Sequence, residues 1–157
     1  MQGKSADNRK NTLYDMRIER KRYLQRLVNS RKNGQIKIIT GVRRCGKSYL
    51  LGVLYRDYLL EDGILPEQII TLELDNDINA RYRNPLELGT YLREKVTDTG
   101  TDYYIMLDEI QMVEPIDNPY LPKESDSKIT FVDVLLGLKS LSNVDVYVTG
   151  SNSKMLS

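Results

Sequence analysis

An α/β fold, with a parallel sheet covered by helices on both faces, is predicted by three features of the sequence. Four short apolar runs, at 36–40, 69–74, 103–107 and 144–148, are separated by segments of helical period. The first run ends in a glycine-containing loop that leads straight into a helix start. The third run ends in two adjacent carboxylates, Asp108 and Glu109. At 157 residues, 40% apolar and 29% charged, the chain has the composition of one globular domain.

In chain order, residues 1–11 are polar, with too little apolar content to order themselves, and are expected to be a disordered tail. Residues 12–157 are expected to form the folded core. From Thr12 onward Leu13, Met16, Tyr23, Leu24, Leu27 and Val28 recur at helical spacing with Arg17, Arg20, Arg22 and Arg26 between them. This predicts a basic amphipathic helix over 12–29, closed by Asn33-Gly34. A helix docked on the sheet through Leu24, Leu27 and Val28 is the plain structural reading of it. The run 36–40 reads as a strand and 47–60, rich in Leu and Tyr, as a helix. After the Pro66 turn comes the β-branched run 69–74, then a helix over 85–96 with Pro85 in its first turn. The run 103–107 is a strand, and 114–127, with Pro115, Pro119 and Pro122, reads as a polar connection. A helix over 130–141 and the strand 144–148 complete the pattern.

Several function classes fall away on composition. The chain has no histidine and a single cysteine, Cys45, so it has no disulfide framework, no typical zinc site and no histidine-dependent triad. No segment approaches the roughly 18 apolar residues of a membrane span, and the first twenty residues lack the apolar centre of a secretory signal. A cytoplasmic location and no membrane partner are expected. The net charge of +1 conceals a division: residues 1–48 carry 14 Lys+Arg against 3 Asp+Glu, and 49–157 carry 9 against 19. A basic front suits a polyanion, whether nucleotide phosphates or a nucleic-acid backbone, and the solvated face of a helix explains it equally well.

Gly41-Val42-Arg43-Arg44-Cys45-Gly46-Lys47-Ser48 fits G-x-x-x-x-G-K-[ST], and it lies between an apolar strand and a helix start, where a phosphate loop must lie. Gly41 and Gly46 let the backbone turn so that successive N–H groups converge on an anion at the helix N-terminus. Lys47 can then reach the β- and γ-phosphates, and the Ser48 hydroxyl can ligand Mg2+. With Gly near 7% of residues, the pattern arises by chance in about one chain in two hundred of this length. Nucleotide-binding candidates are therefore Gly41 to Ser48 and Tyr49, which follows. The strand 103–107 delivers Asp108 and Glu109 to the carboxyl edge of the sheet, where open α/β folds bind ligands. Strand alternation sends their side chains to opposite sides, so Asp108 is read as the second metal ligand and Glu109 as the residue that orients or deprotonates water. A strand end that merely caps the next segment is the structural alternative.

One strand separates the loop strand from the Asp-Glu strand, and the glutamate directly follows the metal aspartate. This resembles the additional-strand, catalytic-glutamate division of P-loop NTPases, a three-layer core. No N-K-x-D sequence is present to select guanine. The run from Ile38 to Ser48, then Leu107-Asp108-Glu109-Ile110-Gln111, then Tyr147-Val148-Thr149-Gly150-Ser151-Asn152 in order resemble the prokaryotic AAA-superfamily ATPases of unassigned biological role, over residues 18–157. In that family an ATPase core precedes a C-terminal domain of unknown function.

The resemblance implies ATP, Mg2+ and hydrolysis coupled to a conformational output. It also implies that the loop after the last strand carries the first sensor of the γ-phosphate. Thr149, Ser151 and Asn152 are the polar residues there, with Ser151 or Asn152 favoured because they lie just past the strand; a simple turn is the alternative reading. An arginine finger and a fifth strand, usual further along such chains, do not follow Ser151, so the sequence is expected to be the front of a longer protein whose isolated core turns over slowly or not at all. The loop strand is then expected at a sheet edge, open to self-association. Arg43 and Arg44 contact phosphate or a neighbouring subunit, or pair with Asp75 or Asp77. Cys45 reads as a loop filler, or as a thiolate stabilised beside Lys47. In the resembling family a segment such as 20–24 packs near adenine, with Tyr23 or an arginine stacked on it. Nucleic-acid contact by the basic helix is the other reading, without a recognition motif to support it. The function read from the sequence is Mg-dependent ATP binding and hydrolysis; a nucleotide-dependent switch with little hydrolysis, or a phosphotransferase, are the alternatives.

Overall fold

A computed structural model describes residues 17, 18, 20–40 and 46–151. The expected tail 1–11, residues 12–16, the loop residues Gly41, Val42, Arg43, Arg44 and Cys45, and Asn152 lie outside the described residues. A helix over 20–30, α1, leads through a turn with positive φ at Lys32 (57°) and Gly34 (79°) into β1, Lys37–Ile39. A continuous helical segment, α2, follows: Lys47–Tyr49, a π-helical stretch Leu50–Tyr55, and Arg56–Glu61. Next come β2, Ile69–Glu73, and α3, Pro85–Lys95. The chain continues through β3, Tyr103–Asp108, a small ladder of β4 (Ile116–Asp117) and β5 (Lys128–Ile129), α4 (Phe131–Lys139) and β6 (Val144–Thr149).

The main sheet is four-stranded in the order β1-β6-β3-β2, and every pairing in it is parallel. β1 stands at one edge, as the resemblance implies. The apolar runs read from the sequence form these four strands, and their alternation divides the core into two layers. On one face Ile39, Ile69, Tyr104, Met106 and Tyr147 pack under Leu27 of α1 and Leu50, Leu51, Tyr55 and Leu59 of α2. On the other, Ile70, Leu72, Ile105, Leu107, Val146 and Val148 pack under Leu88 and Leu92 of α3 and Phe131, Val134, Leu135 and Leu138 of α4. All six residues of β3 are buried, which explains why it reads as a continuous apolar run rather than an alternating one.

Helix starts follow local chemistry. The Asn84 side chain accepts from the Leu86 and Glu87 N–H groups at 3.0 and 3.3 Å, and Pro85 takes the first helical position of α3. Thr130 caps α4 by accepting from Val132 N at 3.2 Å, while the Asp133 carboxylate accepts from Thr130 N at 2.8 Å. The connection expected over 114–127 is not wholly irregular. It begins and ends in the antiparallel β4–β5 ladder, where Ile116 faces Ile129 and an Asp117–Lys128 ion pair closes the next register step. Two residues per strand among prolines are too few for a period to register in the sequence.

The amino end of the sheet holds a polar network. Lys37 and Asp145 are buried and form an ion pair. Tyr147 Oη donates to Asp145 Oδ2 at 2.6 Å, Lys32 N donates to the same oxygen at 2.9 Å, and the Tyr55 and Tyr147 hydroxyls share a hydrogen bond. Burial, and then the Asp145 carboxylate beside it, push the Tyr147 hydroxyl far above the usual tyrosine range; burial does the same to Tyr55. Arg31 Nε donates to Tyr104 Oη at 2.9 Å, which ties the end of α1 to β3. Among the described residues, no helix is long and apolar enough to cross a membrane.

Candidate functional site

The carboxyl edge of the sheet gathers the residues that carry the motifs. β1 ends just before the glycine loop, and α2 starts from Gly46, whose φ of 60° and ψ of 64° are left-handed. That conformation suits a glycine and penalises a side chain, so the second glycine of the pattern is favoured here by backbone geometry. Lys47 and Ser48 open α2. Lys47 Nζ donates to the carbonyl of Gly150, just past β6, at 2.9 Å. Ser48 Oγ donates to Asp108 Oδ2 at 2.6 Å, so two candidates 60 residues apart in the chain meet directly. The β3–β6 register sets Leu107 beside Val148 and ends both strands at this same edge.

Asp108 is the last residue of β3 and is 9% exposed. Thr149, the last residue of β6 and fully buried, donates from its hydroxyl to Asp108 Oδ1. The same hydroxyl accepts from the Glu109 backbone N–H at 3.1 Å. One oxygen of Asp108 is thus fixed by β6 and the other by α2. Hydroxyl and carboxylate oxygens are the donor types that Mg2+ takes. Among the described residues no group of three or more acidic or sulfur ligands is arranged to hold a metal.

Glu109 departs from the expected strand geometry. The strand stops at Asp108, and Glu109 takes a left-handed backbone, φ 61° and ψ 54°, as it leads into a 3-10 turn over Ile110–Met112. The two acids are therefore separated by a sharp turn and not by strand alternation. A non-glycine residue in this region costs about 1–2 kcal/mol, and such conformations collect at functional sites. Gln111 holds the turned glutamate: its Nε2 donates to Glu109 Oε2, and its Oε1 accepts from Ser151 N at 3.4 Å. Gln111 appears in the sequence only as part of the motif run. Nothing there signals its bond to Glu109, because the left-handed turn that brings the two together has no sequence signature.

The structure brings together Lys47, Ser48, Asp108, Glu109 and Ser151, with Thr149 and Gln111 as the residues that join them. Ser151 enters through its backbone N–H. Thr149, less favoured than Ser151 from the sequence, is the one wired to both acids. Tyr49 lies apart from this group, beneath the Arg20 guanidinium at 5.1 Å from the ring centre, and Arg20 also approaches Gly46. A cleft of about 390 Å3 runs beside β1, with Tyr23, Arg26 and Leu27 of α1 on one wall and Ile39 and Thr40 on the other.

Residues 33–157 match a family model described as an AAA domain. The chain is also similar to an uncharacterized protein of Haemophilus influenzae, with 33% identity over 140 residues, covering 89% of this chain and 31% of that protein. It therefore spans less than a third of its relative's length. No solved structure matches.

Proposed function

Given that the chain belongs to the AAA domain family, whose members are nucleotide-binding ATPases, we propose that it binds ATP with Mg2+ and hydrolyses it at the carboxyl edge of its sheet. The observation that carries this reading is the direct bond between Ser48 and Asp108, with Asp108 buried and its second oxygen held by Thr149. These two side chains would hold Mg2+, which when bound neutralises charge on the phosphates.

The remaining tasks fall to the chain's own groups. The loop 41–46 supplies backbone N–H groups to the phosphates, and the Lys47 ammonium exchanges the Gly150 carbonyl for phosphate oxygens. Glu109, aimed by its backbone turn and by Gln111, accepts the proton of the attacking water and leaves that water oriented for in-line attack. Ser151, next to the Gly150 whose carbonyl Lys47 holds, is a candidate for reading the γ-phosphate, and Asn152 follows it in the sequence. The cleft between α1 and β1 supports adenine on the base side. It lies next to Thr40, from which the loop departs, its volume is within the range of small-ligand pockets, and the Tyr23 ring with Arg26 Cζ 5.5 Å from its centre gives it a stacking wall.

The test is equilibrium binding of Mg·ATP against Mg·GTP to the full chain, with parallel measurement of phosphate release. ATP binding that falls at least tenfold in Lys47→Ala is expected, with weaker binding of GTP. Glu109→Gln should keep ATP binding while abolishing release. Equal binding of ATP by the Lys47→Ala chain would overturn the assignment. A nucleotide-dependent switch is the second reading, favoured by the Gln111 bridge that links Glu109 to Ser151; an output that survives Glu109→Gln would select it.

A further inference from the structure

We propose that Glu73, at the end of β2, is a further partner of the metal, holding water molecules of the Mg2+ shell from the side opposite the phosphate loop; this rests on the reading of Ser48 and Asp108 as metal ligands.

The sheet register places it there. β2 pairs with β3 in parallel, and Glu73 lies directly beside Asp108. Ile69 packs on the same sheet face as Tyr104 and Met106, so two-residue alternation puts Glu73 and Asp108 on that face together. Neighbouring strands stand about 4.8 Å apart. A cleft of about 250 Å3 opens at this point, lined by Ser48, Gly52, Thr71, Glu73, Asn79 and Asp108. The Ser48 hydroxyl and both carboxylates therefore share one solvent space. Glu109, turned away into the 3-10 segment, does not line it.

The end of β2 is anchored, so the position of Glu73 is not accidental to a mobile loop. Its carbonyl accepts from Asn76 N at 3.2 Å and from Asn79 Nδ2 at 2.9 Å. Like charges directly opposite on neighbouring strands destabilise a sheet. Among the described residues neither Glu73 nor Asp108 is in an ion pair, and the Ser48 and Thr149 hydroxyls that bond Asp108 bring no opposite charge against this repulsion. A divalent cation with its water shell, seated by Ser48 and Asp108, does so. Gly52, on the helical wall of the cleft, has nothing within 4 Å of where a Cβ would stand, which keeps that wall low and the space open to water.

The experiment is Mn2+ binding, followed by electron paramagnetic resonance in the presence of saturating ADP, on the full chain and on Glu73→Gln and Asp108→Asn. Both substitutions should raise the Mn2+ dissociation constant by at least tenfold, the size found when outer partners of a metal site are removed. ADP affinity in the presence of a chelator should not change with Glu73→Gln. Phosphate release by Glu73→Gln should recover as Mg2+ is raised, which a purely structural loss would not do. The side chain is exposed and its charge repels Asp108 when no metal is bound, so thermal unfolding of Glu73→Gln without nucleotide is expected at or above the temperature of the unsubstituted chain. Mn2+ affinity unchanged by Glu73→Gln but weakened by Asp108→Asn overturns the role of Glu73 alone. Affinity unchanged by both substitutions overturns the Ser48–Asp108 site itself, and this proposal with it.

Discussion

Thr149 does more for the site than its place at a strand end suggests. Its single hydroxyl donates to Asp108 and accepts from the Glu109 N–H, so two consecutive acids share one anchor. Thr149→Val keeps the shape and removes both bonds, leaving a buried carboxylate and a backbone N–H short of a partner. Stability should fall by about 1–3 kcal/mol, measured by urea unfolding, with Thr149→Ser close to the unsubstituted protein. The residue scale also shows where the sequence stops being informative. The glycine pattern, Lys47, Ser48 and the Asp-Glu pair were legible because each is tied to a chemistry that needs that residue type at that spacing. The role of Gln111 was not, since it depends on a left-handed Glu109 that β-strand alternation argues against.

At the scale of elements, the four strands of the main sheet were readable because each is a short run of apolar and β-branched residues bounded by turn chemistry. The start of α3 was accessible through Pro85 in its first turn and that of α4 through the helical pattern beginning at Thr130; the Asn84 cap emerges from the structure. Asn84→Ala should cost about 1 kcal/mol, because two N–H groups of the first turn lose their acceptor; thermal or denaturant unfolding reads it directly. Three elements escaped the sequence for physical reasons. β4 and β5 are two residues each, and the π-helical turn Leu50–Tyr55 has the same apolar spacing as an ordinary helix. That stretch buries Leu50, Leu51 and Tyr55 while leaving Gly52 exposed toward the cleft beside Asp108.

For the molecule as a whole, the two ends of the sheet have different chemistry. The carboxyl end collects the candidate site, and the amino end closes around Lys37, Asp145, Tyr147 and Tyr55. Both tyrosines ionise less readily in the folded chain than the value of 10.0 they take when free of it. Because their folded pKa values are raised, their contribution is complete below pH 10 and is lost as pH rises beyond it, where the unfolded chain releases protons that the folded chain keeps. Denaturant unfolding should therefore show stability falling from about pH 10 upward. Tyr147→Phe should flatten that decline while lowering stability at neutral pH, where the bond to Asp145 is lost.

Among the described residues β1 is laddered to β6 along three residues and has no second neighbour in the sheet, whereas β3 and β6 are enclosed from both sides. The candidate site thus spans two grades of rigidity. Asp108 and Thr149 project from the two enclosed strands, and the glycine loop follows an edge strand laddered along only three residues, which has less to keep it from opening locally. A ligand that grips both halves would spread the cohesion of the central strands outward to the periphery, so that occupancy acts as a clasp as much as a chemical event.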